Sequence, residues 1–277
     1  MVRIPAAGGG GLRPRRQRRA AGAALLAAAA LAGALANREA RAAFVVSYEP
    51  PLTADYGIYF DELRHEHFLE SVSLELNRVL ALPDSVTLKI AECGHSTTTW
   101  SEATRVVTVC YEFLDAVLAI AGEAAASQER AEQLFSGAVT FALIGEVGRA
   151  LVAQYALPAD RGLERAGDEF AAITLAAAER DGDPSAAAAL EFFDAALRQP
   201  DAGFEYLESH AFDRARLEDV ACLLSGNAPT NHAEALAQGL VPPERAARCA
   251  EELVTAARAW EQNLRAHAPP PAPATQL

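Results

Sequence analysis

Basic residues are scarce in this sequence. It carries 24 lysines and arginines against 37 aspartates and glutamates, so its formal net charge is −13. Lys89 is its only lysine. A chain with this balance is repelled by phosphate backbones and by anionic lipid headgroups. We therefore expect it to bind neither nucleic acid nor anionic membranes.

The sequence also lacks a long run of strongly apolar residues. Its uncharged stretch at 20–36 consists mainly of alanine and is short for a membrane anchor, which is the alternative interpretation. Five arginines precede it at 13–19, and small-residue cleavage sites follow at 34–36 and 40–42. This order is typical of a secretory signal peptide. We predict a signal peptide at 1–42 and an extracytoplasmic location, either periplasmic or secreted.

Cysteines are few, and none are spaced as C-x-x-C, which disfavours a thiolate metal site. The four are Cys93, Cys110, Cys222 and Cys249. An even number in an exported protein suggests two disulfides, for which three pairings are possible. We predict the local pairing, Cys93–Cys110 and Cys222–Cys249, because it closes the shortest loops.

Hydrophobic periodicity predicts a mostly helical α+β fold. One helix is predicted over 61–80, and the chain turns helical again after Leu114. Alternating apolar residues predict strands at 86–93 and 106–113, separated by a polar loop at 94–104. We expect the two strands to form an antiparallel hairpin tied by the first disulfide.

The domain organisation is predicted to be simple. The stretch 43–266 is long enough to bury a core as a single domain. The tail at 267–277 is rich in proline and polar residues, so we predict that it is disordered.

The predicted helix at 129–155 breaks local rules. It is apolar on most faces, yet it contains Glu146 and Arg149 together with Gly145 and Gly148. A glycine inside a helix costs roughly 1 kcal/mol relative to alanine, and a carboxylate on an apolar helix needs a partner. Such breaks tend to mark functional or once-functional positions.

The stretch 141–151 resembles the helix of an H-E-x-G-H zinc metallopeptidase, with Gly145 and Arg149 where the two histidines belong. Further motifs match the same family in order along the chain: Glu92-Cys93-Gly94, Cys110-Tyr111-Glu112, Glu164 to Asp168, His210 to Asp213, Cys222 to Gly226 and Pro242 to Cys249. The chain is thus similar to a bacterial family of secreted zinc metallopeptidases of the zincin type. That resemblance implies a small antiparallel sheet packed on a helical bundle.

The resemblance also implies roles for single residues. Glu146 stands where the family has its general base, and Glu164 where it has the third zinc ligand. Asp168 and His210 stand where side chains orient those groups. Histidines at i and i+4 would direct two imidazoles at one zinc ion, whereas neither glycine nor arginine can ligate a metal. Intact relatives are expected to use zinc, but we expect no cofactor in this chain. We therefore regard Glu146 as a vestigial general base and Glu164 as a vestigial metal ligand.

Three functions follow as hypotheses. The favoured one is a non-catalytic relative of the peptidases that is retained for binding a protein or a peptide. The second is an active secreted metallopeptidase with a rearranged metal set, for example His95, His210 and Glu164. The third is a structural or assembly protein of the cell envelope with no function in a cleft. The alternative interpretation of Glu164 and Asp168 themselves is a solvated helix face, which is common for charges at i and i+4.

Arg149 carries the most specific prediction. Two carboxylates, Glu146 and Glu164, would face a buried cleft, and without a cation one of them would have to take up a proton. We predict that the Arg149 guanidinium fills the space of the metal and pairs with at least one of them.

Overall fold

The structure is a computed structural model, and it describes residues 42–180, 184–199, 203–226 and 239–267. The predicted signal peptide at 1–42 and the predicted disordered tail at 267–277 lie outside these ranges, apart from one residue each. Both therefore stay predictions.

The strands in the described part of the chain form one mixed sheet. They are β1 (Phe44–Tyr48), β2 (Val86–Ala91), β3 (Thr98–Ser101) and β4 (Val106–Cys110). Their order in the sheet is β1-β2-β4-β3. The pairs β1–β2 and β2–β4 are parallel, and the pair β3–β4 is antiparallel.

The predicted antiparallel hairpin is therefore wrong. The strands β2 and β4 are parallel neighbours, because the stretch predicted as a loop contains the additional strand β3, which runs back along β4. Thr98, Thr99 and Trp100 are β-branched or aromatic residues, which fit a strand better than a loop. The second predicted strand also ends early, at Cys110, where a helix begins.

Helices make up most of the remaining described chain, which confirms the mostly helical α+β class. They are α1 (Gly57–His65), α2 (Phe68–Val79), α3 (Tyr111–Ala124), α4 (Gln128–Tyr155), α5 (Leu163–Arg180), α6 (Ser185–Leu197), α7 (Glu205–Ser209), α8 (Arg214–Ser225), α9 (Pro243–Ala246) and α10 (Cys249–Arg265). The helix predicted over 61–80 is divided in two. His67, at φ 52°, lies in the left-handed region and interrupts it.

Helix α4 is the centre of the core. Ser127 caps its start by accepting a hydrogen bond of 3.2 Å from the backbone amide of Arg130. All residues at 141–152 are buried, and α3, α5, α6 and the strands β3 and β4 pack around the helix. In the described part of the chain, α4 alone is long and apolar enough to cross a membrane. However, 78% of its most apolar window is buried inside the protein, as in a core helix.

Both predicted disulfides are confirmed. Cys93–Cys110 ties the end of β4 to the segment that follows β2, and Cys222–Cys249 ties α8 to α10. Disulfides persist in oxidising compartments and are rare in the cytosol. The two bonds therefore favour, weakly, a chain that folds outside the cytoplasm.

Candidate functional site

Helices α4 and α5 approach each other through glycines. A Cβ atom on Gly167 of α5 would lie 2.7 Å from the carbonyl oxygen of Gly145 of α4. A Cβ atom on Gly148 would lie 2.7 Å from the Cβ atom of Phe170. Because packed side chains do not tolerate such distances, larger residues here would push the helices apart. The close approach brings the face of α4 around Glu146 against the first turns of α5.

Arg149 bridges the two helices at this contact. Its Nη2 pairs with Glu146 on its own helix, and its Nη1 pairs with Glu164 on α5. The side chains of Arg149 and Glu146 are only 10% and 1% exposed, whereas that of Glu164 is 37% exposed. The predicted contact is confirmed, since the guanidinium binds both carboxylates. Burial opposes the charge on Arg149, but the hydrogen bond and the charge of Glu146 outweigh it and raise its pKa.

Glu146 is a buried carboxylate held by three donors on one oxygen. Its Oε1 accepts a 2.8 Å hydrogen bond from Thr98 Oγ1 and lies 2.8 Å from His210 Nε2, in addition to its contact with Arg149. Burial opposes ionisation, but the hydrogen bonds from His210 and Arg149 and their charges outweigh it, so the pKa of Glu146 is lowered. Its Oε2 is buried and has no hydrogen-bond partner among the described residues.

His210 is the second direct partner of Glu146. Its ring stacks on that of Tyr206 with centroids 4.1 Å apart. Its Nδ1 lies 3.1 Å from the Tyr206 carbonyl oxygen and 2.9 Å from Ser209 Oγ. Because an ionised carboxylate can only accept, Nε2 donates its proton to Glu146, and Nδ1 can then accept a hydrogen bond from Ser209 Oγ. Arg149 Nη2 lies 3.1 Å from the same Nε2. The ring is 6% exposed, so it is part of the buried cluster and not a surface group.

Asp168 pairs with an arginine on another helix. Its Oδ2 accepts a 2.7 Å hydrogen bond from Arg216 Nε of α8. Arg216 also donates to the carbonyl oxygen of His210 and, at 3.3 Å, to that of Glu164. Burial raises the pKa of Asp168, and Arg216 offsets only part of that effect. Arg216 therefore links α5, α8 and the end of α7.

Sequence reasoning missed three residues of this cluster, which are Thr98, Tyr206 and Arg216. Arg216 carried a usable signal, because it lies four residues before Val220 on the buried face of a predicted helix. A buried arginine requires an acidic partner. Thr98 and Tyr206 gave no comparable signal, since their roles depend on contacts with distant parts of the chain.

Little space remains inside the cluster. The cavity there measures about 10 Å³. A cavity of this size is at the lower limit for holding one water molecule. It is lined by Gly145, Glu146, Arg149, Glu164, Gly167, Asp168, Tyr206 and His210. A peptide therefore does not fit into the cluster.

The alternative metal set of His95, His210 and Glu164 is not brought together in the described part of the chain. Instead, His95 Nδ1 lies 3.9 Å from Cys110 Sγ. Among the residues that the structure describes, the donor atoms of Cys93, Cys110 and Glu112 form the one group of three within 4.8 Å of one another. Both sulfurs of this group belong to a disulfide, so they cannot ligate a metal in the oxidised protein.

Comparison with known proteins gives one match. Residues 48–264 match a protein family described as "Putative metallopeptidase". The match runs from the last residue of β1 almost to the end of α10. No curated protein and no solved structure matches the chain significantly, so the zincin-like architecture stays a prediction.

Proposed function

The chain belongs to this family of putative metallopeptidases, and we propose that it is an exported, non-catalytic member retained for binding a protein or a peptide. One observation carries the proposal. The guanidinium of Arg149 lies between Glu146 and Glu164, where it pairs with both. By resemblance, these are the positions of the general base and of a zinc ligand.

The residues at the positions of the family's zinc ligands do not fit a zinc ion. A protein zinc site uses three or four nitrogen, sulfur or oxygen ligands. Gly145 offers no donor atom, and Arg149 places a permanent positive charge where the dication would have to be. Glu164 alone would remain as a ligand from this set. No reaction step through a metal follows from this arrangement.

Arg149 supports a structural role for the former site instead. A guanidinium is planar and delivers directed hydrogen bonds to two carboxylates at once, so it can neutralise them without a metal. Here it joins Glu146 of α4 to Glu164 of α5. The pairing holds together the two helices that, in our interpretation, once supplied the metal ligands.

The edge of the sheet supports the binding half of the proposal. Among the described residues, the strand β3 pairs with β4 on one side and with no strand on the other. An edge strand presents unpaired backbone groups, to which an extended peptide can add as a further strand. Thr98 of β3 is also the residue that hydrogen-bonds Glu146. Strand addition uses backbone hydrogen bonds and needs no metal ion, so peptide binding at this edge would survive the loss of catalysis.

Metal content tests the non-catalytic assignment. We expect the oxidised wild-type protein, with both disulfides intact, to bind no stoichiometric zinc and to cleave no casein. The double variant Gly145→His/Arg149→His should take up about one zinc per chain, because it restores two imidazoles beside Glu164. Elemental analysis after dialysis measures this. The matched control adds Glu164→Gln, which should weaken the zinc uptake again.

Stoichiometric zinc in the oxidised wild-type protein, or chelator-sensitive cleavage of casein by it, would refute the non-catalytic assignment. A well-folded double variant that takes up no zinc would refute the assignment of the site.

Tryptophan fluorescence tests peptide binding at β3. The chain contains two tryptophans, so Trp260→Phe leaves Trp100 of β3 as the sole reporter. We expect extended peptides selected from a random heptapeptide library on the wild-type protein to shift the Trp100 emission with saturation. In Trp100→Phe the same peptides should still bind by calorimetry, but the remaining emission should not change. Saturable binding that leaves Trp100 unaffected would place the peptide elsewhere.

A further inference from the structure

Three side chains with metal-binding atoms lie together at one end of the sheet, and a fourth lies beside one of them. The sulfurs of Cys93 and Cys110 and a carboxylate oxygen of Glu112 are all within 4.8 Å of one another. His95 Nδ1 lies 3.9 Å from Cys110 Sγ. The cluster therefore offers two sulfur donors, one nitrogen and one oxygen. None of these groups takes part in the contacts of Arg149.

This donor set matches what zinc requires. Zinc in proteins is tetrahedral, with bonds of about 2.3 Å to sulfur and about 2.0–2.2 Å to nitrogen or oxygen. Neighbouring donors of such a site are roughly 3.3–3.8 Å apart by that geometry. Three of the donor atoms lie within 4.8 Å of one another and His95 Nδ1 lies 3.9 Å from Cys110 Sγ, so rotation of these side chains is needed to bring all four onto one ion. The exposed His95 and the half-buried Cys93 and Glu112 are accessible from solvent.

The backbone would keep these groups together after reduction of the disulfide. The strands β2 and β4 are paired over five residues, with Ala91 opposite Cys110. Glu112 accepts hydrogen bonds from the backbone amides of Cys93, at 3.0 Å, and of Gly94. A carboxylate that is oriented by other hydrogen bonds is the usual form of a metal ligand. Its remaining lone pairs are free to bind a cation.

We propose that the reduced protein binds one zinc ion through Cys93 Sγ, Cys110 Sγ, His95 Nδ1 and the Glu112 carboxylate. A dithiol reductant supplies two electrons and two protons, so that the sulfur–sulfur bond breaks, two thiols form and the reductant becomes a disulfide. Zinc then displaces both thiol protons and binds the thiolates. The oxidised protein binds no zinc here, so the Cys93–Cys110 pair acts as a redox-controlled metal site.

The second disulfide provides a matched comparison. Cys222 Sγ lies 3.5 Å from Glu252 Oε2, but that carboxylate is already paired with Arg245 at 2.9 Å. In the part of the chain covered by the structure, no group of three ligand atoms forms around Cys222 or Cys249. Reduction of this bond should therefore create no zinc site.

Cobalt(II) binding tests the proposal. The full chain is reduced with a phosphine, which does not compete as a thiol ligand, and is titrated with cobalt(II) and then with zinc. We expect a cobalt–thiolate charge-transfer band that saturates at one cobalt per chain and disappears when zinc is added. Cys93→Ser should abolish the band. His95→Ala should weaken zinc binding by at least about 100-fold, since even the loss of an outer partner costs roughly 10–100-fold.

The double variant Cys222→Ser/Cys249→Ser is the control and should keep the full band. A band that is unchanged in Cys93→Ser, or the lack of any band in a reduced protein whose near-ultraviolet circular dichroism remains native, would overturn the proposal. If reduction alone unfolds the chain, recovery of the native spectrum on adding zinc supports the site, and failure to recover overturns it.

Discussion

Replacing Arg149 with alanine should lower the free energy of unfolding by about 3–5 kcal/mol, the cost of removing one partner from a buried ion pair. Glu146 is 1% exposed, and it would keep only Thr98 and His210 as partners. Urea unfolding of the wild type and the variant measures the difference. The matched control is Arg78→Ala, which removes an arginine from an exposed pair with Glu75, with side chains 71% and 64% exposed. That change should stay within about 0.5 kcal/mol.

The effect should depend on pH. An acid whose pKa is lowered in the folded protein stabilises the fold above its unfolded pKa, which is about 4.3 for glutamate. This stabilisation is lost as the pH falls through the folded value. Glu146 has such a lowered pKa, because His210 and Arg149 outweigh its burial. The difference between wild type and Arg149→Ala should therefore shrink below about pH 4. A loss under about 0.5 kcal/mol at neutral pH would show that Arg149 behaves as a surface residue.

Replacing Gly167 with alanine should destabilise the protein by about 1–2 kcal/mol, which is a cost of overpacking in the upper part of its usual range less the gain in helix propensity. The new Cβ atom would lie 2.7 Å from the carbonyl oxygen of Gly145 and 3.0 Å from Arg149 Cγ. The first contact is with backbone, so α4 and α5 must separate, and inserted atoms in a packed core typically cost about 1–3 kcal/mol. The roughly 1 kcal/mol gained from a better helix former does not offset this cost. Thermal and urea unfolding both measure the change.

Gly145→Ala is the matched control on the facing helix. A Cβ atom there would be 3.8 Å from the nearest atom, the carbonyl oxygen of Gly167, which is an ordinary contact. The gain in helix propensity should then raise the free energy of unfolding by up to about 1 kcal/mol. A loss of stability in Gly167→Ala together with a gain in Gly145→Ala would show that Gly167 limits how closely α4 and α5 approach. If Gly145→Ala destabilises as much as Gly167→Ala, then the account of this interface is incorrect.

The helices could be predicted from the sequence because their signals are local. Apolar residues recur at helical spacing, and Pro158 and Pro184 lie beside the ends of the long helices. The sheet could not be predicted in the same way. The strands β1 and β2 pair across about forty residues, and the parallel pairing of β2 with β4 depends on a strand of four residues between them. Such pairings are decided by tertiary packing.

The contacts of the site likewise include local ones that the sequence predicts and distant ones that it does not. Glu146 and Arg149 are three residues apart on one helix, so their contact follows from helix geometry. The partners Thr98 and Arg216 come from elements 48 residues distant from Glu146 and Asp168. No periodicity connects positions so far apart. The sequence also favoured a functional origin for the glycines of α4. For Gly148, however, close packing against Phe170 is enough to explain why the residue is glycine.

The cation between Glu146 and Glu164 is covalently part of the chain. A fold held by a dissociable metal gains stability in proportion to the logarithm of free metal concentration, and chelators remove that gain. An arginine side chain is always present at its own site and enters no such equilibrium. The α4–α5 junction is therefore complete as soon as the chain folds, whatever the supply of metal in its surroundings.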